Sequence, residues 1–75
     1  MKFIEMSGKT LLQIVDEGGP TPTELAQVGV SDESVVRVNR QGDIELRRSG
    51  QWDVIGGLLG DFEERVKHAT GLDWA

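Results

Sequence analysis

From Val35 to Arg48, apolar and polar residues alternate on both sides of a turn. Val36, Val38, Ile44 and Leu46 fall on one side of the pleat, Arg37 and Glu45 on the other. This period of two predicts an antiparallel hairpin with strands at about 35–39 and 43–48. Asn39-Arg40-Gln41-Gly42 suits a type I turn followed by a residue with positive φ, which glycine adopts without steric cost. The turn sets Val38 opposite Ile44, Val36 opposite Leu46, and Arg37 opposite Glu45. A slip of one residue would put the apolar set into water and bury the charged pair. One register therefore satisfies turn, face and charge together.

The rest of the chain has to cover the apolar face. Lys2-Phe3-Ile4-Glu5-Met6, followed by Ser7-Gly8, predicts a strand that joins the hairpin; two strands alone are marginal in water. In 9–17, Leu11, Leu12, Ile14 and Val15 share one helical face, Ser7 can cap the start, and Gly18-Gly19-Pro20 can stop it. Lys9, Asp16 and Glu17 oppose the helix dipole, so a strand paired with 2–6 stays open as the alternative. Thr21-Pro22-Thr23-Glu24 is a capping box with proline at the first helical position. It predicts a short helix through Gln27 or Val28 that buries Leu25 and Val28 and ends at Gly29.

Ile55, Leu58, Leu59, Phe62, Val66 and Ala69 recur at helical spacing and predict a C-terminal helix over about 54–70. Asp61–Arg65, Glu63–Lys67 and Glu64–His68 are acid-before-base pairs one turn apart. Thr70-Gly71-Leu72 reads as a glycine-capped end with Leu72 folding back. Gly56, Gly57 and Gly60 sit badly in this helix, each costing about 1 kcal/mol relative to alanine. Either the helix closely approaches the sheet, or it starts late, with Trp52 to Gly57 as a loop or short strand. The expected fold is one small α+β domain over 1–75. The C-terminal helix and one or two short N-terminal helices cover the hairpin and its added strand, with Phe62 at the centre of the core.

Size and composition narrow the picture. A chain of 75 residues makes one domain with a thin core, burying about 60% of its unfolded surface. No cysteine is present, so disulfides, thiolate metal sites and cysteine nucleophiles are out. No apolar run approaches the roughly 20 residues of a membrane span, and no basic-then-apolar signal opens the chain. A cytoplasmic location is expected. The net charge of −5 works against general affinity for nucleic acid or anionic membrane. Between Ser34 and Gln51, four arginines meet Asp43 and Glu45, a balance of +2 that leaves −7 elsewhere. Such a basic hairpin is either a contact face or the solvent side of a sheet whose charge discourages aggregation.

Motifs with chemistry are few. Gly8-Lys9-Thr10 resembles the end of a phosphate-binding loop, but Phe3 stands where that loop needs a glycine. His68 is the only histidine and has Glu64 one turn back, which favours a surface pair over a metal site. No serine has the histidine and orienting acid of a nucleophile. The chain is expected to be no enzyme and to hold no cofactor or metal.

Two stretches resemble known families. Leu11-Leu12-Gln13-Ile14-Val15-Asp16-Glu17-Gly18-Gly19-Pro20, Glu24-Leu25-Ala26 and Gly29-Val30-Ser31 resemble the first helices of winged-helix DNA-binding domains, which implies a recognition helix over 32–41. One residue is missing before Gly29, and Val35, Val36 and Val38 favour strand there. Pro22, Leu25, Gly29-Val30, Val36, Val38, Gly42, Ile44 and Leu46 are similar to the second half of swapped-hairpin transition regulators, which implies an intertwined dimer. The basic residues of that family's first half are absent; only Lys2 and Lys9 precede Arg37. Neither resemblance assigns the chain.

The functional expectation is a small non-catalytic protein-interaction module or accessory subunit. Gly56 and Gly60, four apart on the expected helix, leave a flat side flanked by Trp52 and Leu59. Tryptophan is enriched at interface hot spots, so these four residues are the candidate contact with a protein partner or a second copy. Trp74 either joins such a contact or closes the core. The alternative is a DNA- or RNA-binding regulator using Arg37, Arg40, Arg47 and Arg48, with Trp52 as a stacking surface.

Overall fold

The computed structural model describes residues 3–15 and 19–74. Along them run β1 (Phe3–Ser7), α1 (Gly8–Ile14), α2 (Pro22–Gln27), β2 (Val35–Asn39), β3 (Asp43–Arg48), β4 (Gln51–Gly57) and α3 (Phe62–Thr70). The strands form one antiparallel sheet in the order β1-β2-β3-β4.

The hairpin of β2 and β3 has the register its alternation predicts: Val36 opposite Leu46, Arg37 opposite Glu45, Val38 opposite Ile44. The Gly42 amide donates to the Asn39 carbonyl at 3.0 Å, and Gly42 takes φ +93°. Asn39 clamps the turn from its side chain, donating to the Asp43 carboxylate and accepting from the Asp43 amide, both at 2.9 Å. β1 adds on the far side of β2, Ile4 opposite Val38 and Met6 opposite Val36. Lys2, expected to open this strand, lies outside the described residues.

Between β1 and β2 the capping signals place two helices. Ser7 accepts from the Thr10 amide at 3.1 Å and starts α1, which settles the helix-or-strand question for 8–14 in favour of helix. Val15 is already extended, and Asp16 to Gly18 lie outside the described residues. Gly8, the false phosphate-loop glycine, has a packing role. Its amide donates to the Ser34 carbonyl at 2.8 Å, and a Cβ there would stand 1.8 Å from the Ser31 carbonyl oxygen. Thr21 and Glu24 form both halves of the capping box on α2, at 3.1 Å each. Leu25 is fully buried, but Val28, expected inside, is 37% exposed because the helix ends before it. Residues 32–41 form a loop and β2, so the recognition helix implied by the winged-helix resemblance is not there.

The main correction concerns the C-terminal helix. It covers Phe62–Thr70, not 54–70, and Gln51–Gly57 is a fourth strand, the late start with a short strand that the glycines left open. Ser49 at φ +52° and Gly50 at φ +75° make the tight turn that folds β4 back along β3. The six-residue stripe therefore splits. Ile55 packs from the strand, Leu58 from the following loop, Phe62 and Val66 from the helix, while Leu59 is 61% exposed and Ala69 faces solvent. Of the expected charge pairs, Asp61–Arg65 forms at 3.1 Å, and Lys67 reaches Asp73 at 3.7 Å. Gly71 ends α3 at φ +71°, as its position predicts. Leu72 stays 43% exposed, and Trp74 is the residue that folds back.

The core lies between the inner face of the sheet (Ile4, Met6, Val36, Val38, Ile44, Leu46) and Leu11, Ile14, Leu25, Val30, Leu58, Phe62, Val66 and Trp74. Trp74 is edge-on to Phe62 at 6.3 Å and donates its indole N–H to the Val38 carbonyl at 2.8 Å. Arg65 ties three elements together. It donates to the carbonyl of Ile14 at the end of α1, to that of Leu59 in the loop, and to the Asp61 carboxylate.

Candidate functional site

Since the helices take one face of the sheet, the other is left with Phe3 and Glu5 from β1, Val35 and Arg37 from β2, Glu45 and Arg47 from β3, and Trp52 and Val54 from β4. Its centre is a stack. The Arg37 guanidinium lies 3.8 Å from the Phe3 ring centroid and 4.2 Å from that of Trp52. It also donates to Glu45 at 2.9 Å, which leaves Glu45 only 9% exposed in the middle of an otherwise open face. The Arg37 Nε is buried with no hydrogen-bond partner, the consequence of a planar cation enclosed by two rings. Phe3, Arg37 and Trp52 thus run diagonally across the sheet and shield the ion pair beneath.

The four hairpin arginines differ in what holds them. Arg37 has Glu45; Arg48 donates to Asp53 at 2.9 Å and to the Val28 carbonyl at 3.0 Å; Arg40 is 3.8 Å from Asp73. Arg47 is exposed and leans on Trp52, 5.3 Å from its centroid, with no carboxylate partner among the described residues.

The expected partner residues are not gathered as one helical side. Trp52 lies at the start of β4, one residue after Gln51, Leu59 and Gly60 lie past its end, and most of a strand separates them. Gly56 pairs with Ile44 on the inner side, where a Cβ would meet Pro20 at 3.3 Å. Gly60 has φ +73° and open space around its missing side chain. What surrounds Trp52 instead is Arg47 and Val54, the latter 68% exposed. A helix starting at 54 places Val54 outside any sheet face; the strand puts it beside Trp52. The alternation Trp52-Asp53-Val54 against Arg47-Leu46-Glu45 is the signal that finds it.

β4 is also an edge. Among the described residues its strand partner is β3 alone, and none of its seven residues is fully buried. Its register with β3 shifts at Ile44/Glu45, so Gln51–Val54 is its regular part. Elsewhere, a groove of about 560 Å³ between α1 and α3 is lined by Gln13, Ile14, Glu64, Arg65, His68 and Ala69. Its arginine is the one already tied to Ile14, Leu59 and Asp61. Among the described residues, no three His, Cys, Asp or Glu side chains cluster as metal ligands, and no helix is long and apolar enough to cross a membrane. Compared with protein families, with curated proteins and with solved structures, the chain matches none.

Proposed function

We propose that this chain is a small, non-catalytic protein-interaction module of the cytoplasm, and that it docks through the outer face and free edge around β4. The observation that carries the reading is the grouping of half-buried Trp52, exposed Val54 and exposed Arg47 beside a strand edge. Aromatic and arginine side chains beside an apolar contact are the usual anchors of protein interfaces. Three of the four hairpin arginines are held by carboxylates, which favours a protein over a nucleic-acid ligand. Binding to duplex DNA at physiological salt is therefore expected to be negligible; micromolar affinity lost on Arg47→Glu would reverse that choice.

Affinity capture tests the docking surface. Val54 is exposed, so Val54→Lys is expected to keep the parent melting temperature and to lose the proteins the parent retains. An identical captured set from parent and variant removes this face from the reading.

A further inference from the structure

The chemistry of the partner can be taken one step further, resting on the reading above. We infer that the edge of β4 accepts an extended, acidic segment of another protein as a fifth strand, with a carboxylate side chain of that segment on Arg47. Edge strands are commonly protected by lysine, proline, a β-bulge or an inward-pointing charge. Over Gln51–Val54, β4 carries neither lysine nor proline; its bulge lies beyond Val54, and its one inner-side charge, Asp53, is neutralised by Arg48 at 2.9 Å. Unpaired backbone groups on such an edge are what strand addition uses, and alternate side chains then set specificity. Trp52 and Val54, two apart on the outer side, offer an apolar contact to the added strand. Arg47 supplies the charge. It leans across Trp52 towards this edge and lacks a carboxylate among the described residues, so a glutamate or aspartate from the added strand completes it. A second copy of this chain fits less well. Its own β4 would bring only Gln51, Trp52 and Val54 together with an Asp53 already in use.

The probe is a displayed library of random peptides about ten residues long, a full strand's length, panned against the parent protein and against Arg47→Glu. Peptides selected by the parent are expected to be enriched in Asp or Glu, with apolar residues at a spacing of two. They should bind Arg47→Glu at least about tenfold more weakly, and that variant should select Lys or Arg instead. Peptides without acidic enrichment, equal affinity for both proteins, or no selected peptide would overturn the inference. So would a dimer by light scattering that Val54→Lys dissociates, which makes a second copy the occupant. Binding of a single-stranded oligonucleotide by the parent, lost in Arg47→Glu, would overturn it in favour of nucleic acid. Any of these alongside capture that still depends on Val54 sinks the acidic strand alone. Capture indifferent to Val54→Lys sinks the docking surface beneath it.

Discussion

At the scale of single residues, two turn positions decide whether the sheet closes. Gly42 has φ +93°, and a Cβ there would also stand 2.7 Å from the Leu58 carbonyl oxygen and 3.2 Å from the Phe62 ring. Backbone strain and collision therefore act together. Gly42→Val is expected to lower unfolding stability by at least about 2 kcal/mol, read from the urea midpoint. Ser49 is the opposite case, a non-glycine residue at φ +52° in the turn between β3 and β4. Asparagine tolerates that conformation better and is the favoured partner of glycine in this turn type. Ser49→Asn should raise stability by roughly 0.5 kcal/mol, seen as a higher melting temperature with an unchanged denaturant slope.

At the scale of elements, legibility tracked how many independent signals agreed. The β2–β3 hairpin carried alternation, turn chemistry and a cross-strand charge pair, and its bounds and register could be read directly. The Ser7 N-cap and the Thr21–Glu24 capping box likewise mark the starts of the two short helices. The second half of β4 falls inside the helical pattern because Ile55, Leu58, Leu59 and Phe62 keep helical spacing by coincidence, although they lie on a strand, a loop and a helix start; the late helix start with a short strand before it is the reading that holds. The three glycines were the dissenting signal, and Ser49-Gly50 was the missed one: two turn residues folding one strand onto the next. The outer-face site was illegible for the same reason, since Trp52 meets Arg37 only when β4 lies beside β3. That arrangement has an energetic signature. The Arg37–Glu45 pair is largely buried, with side chains 23% and 11% exposed, whereas Arg48–Asp53 is near half-exposed at 46% and 45%. Removing Glu45 strands a cation between two rings, so Glu45→Ala should cost about 3 kcal/mol. Asp53→Ala should cost less than about 1 kcal/mol. Equal losses on chemical denaturation would mean that the ring stack does not shield the pair.

At the scale of the whole molecule, the core of a 75-residue chain must be closed at every margin, and the structure does this with residues far apart in sequence. Gly42 leaves room for Phe62, Phe62 meets Trp74, and Trp74 returns to the Val38 carbonyl on a central strand. Turn, helix start and chain end are thereby one packing unit over the end of the hairpin. The two tryptophans divide the labour: Trp74, 4% exposed, belongs to the core, and Trp52 to the outer face. Phe62→Ala removes the ring that the other parts of this unit rest on, and is expected to cost about 3–5 kcal/mol, a large share of what so small a domain holds. Trp74→Phe keeps most of the apolar contact but leaves the Val38 carbonyl without its indole donor, so about 1–2 kcal/mol should be lost. If Phe62 and Trp74 act as a unit, the double variant Phe62→Ala with Trp74→Phe loses less than the sum of the singles. Strict additivity in denaturant melts would show that the chain end and the helix start close the core independently.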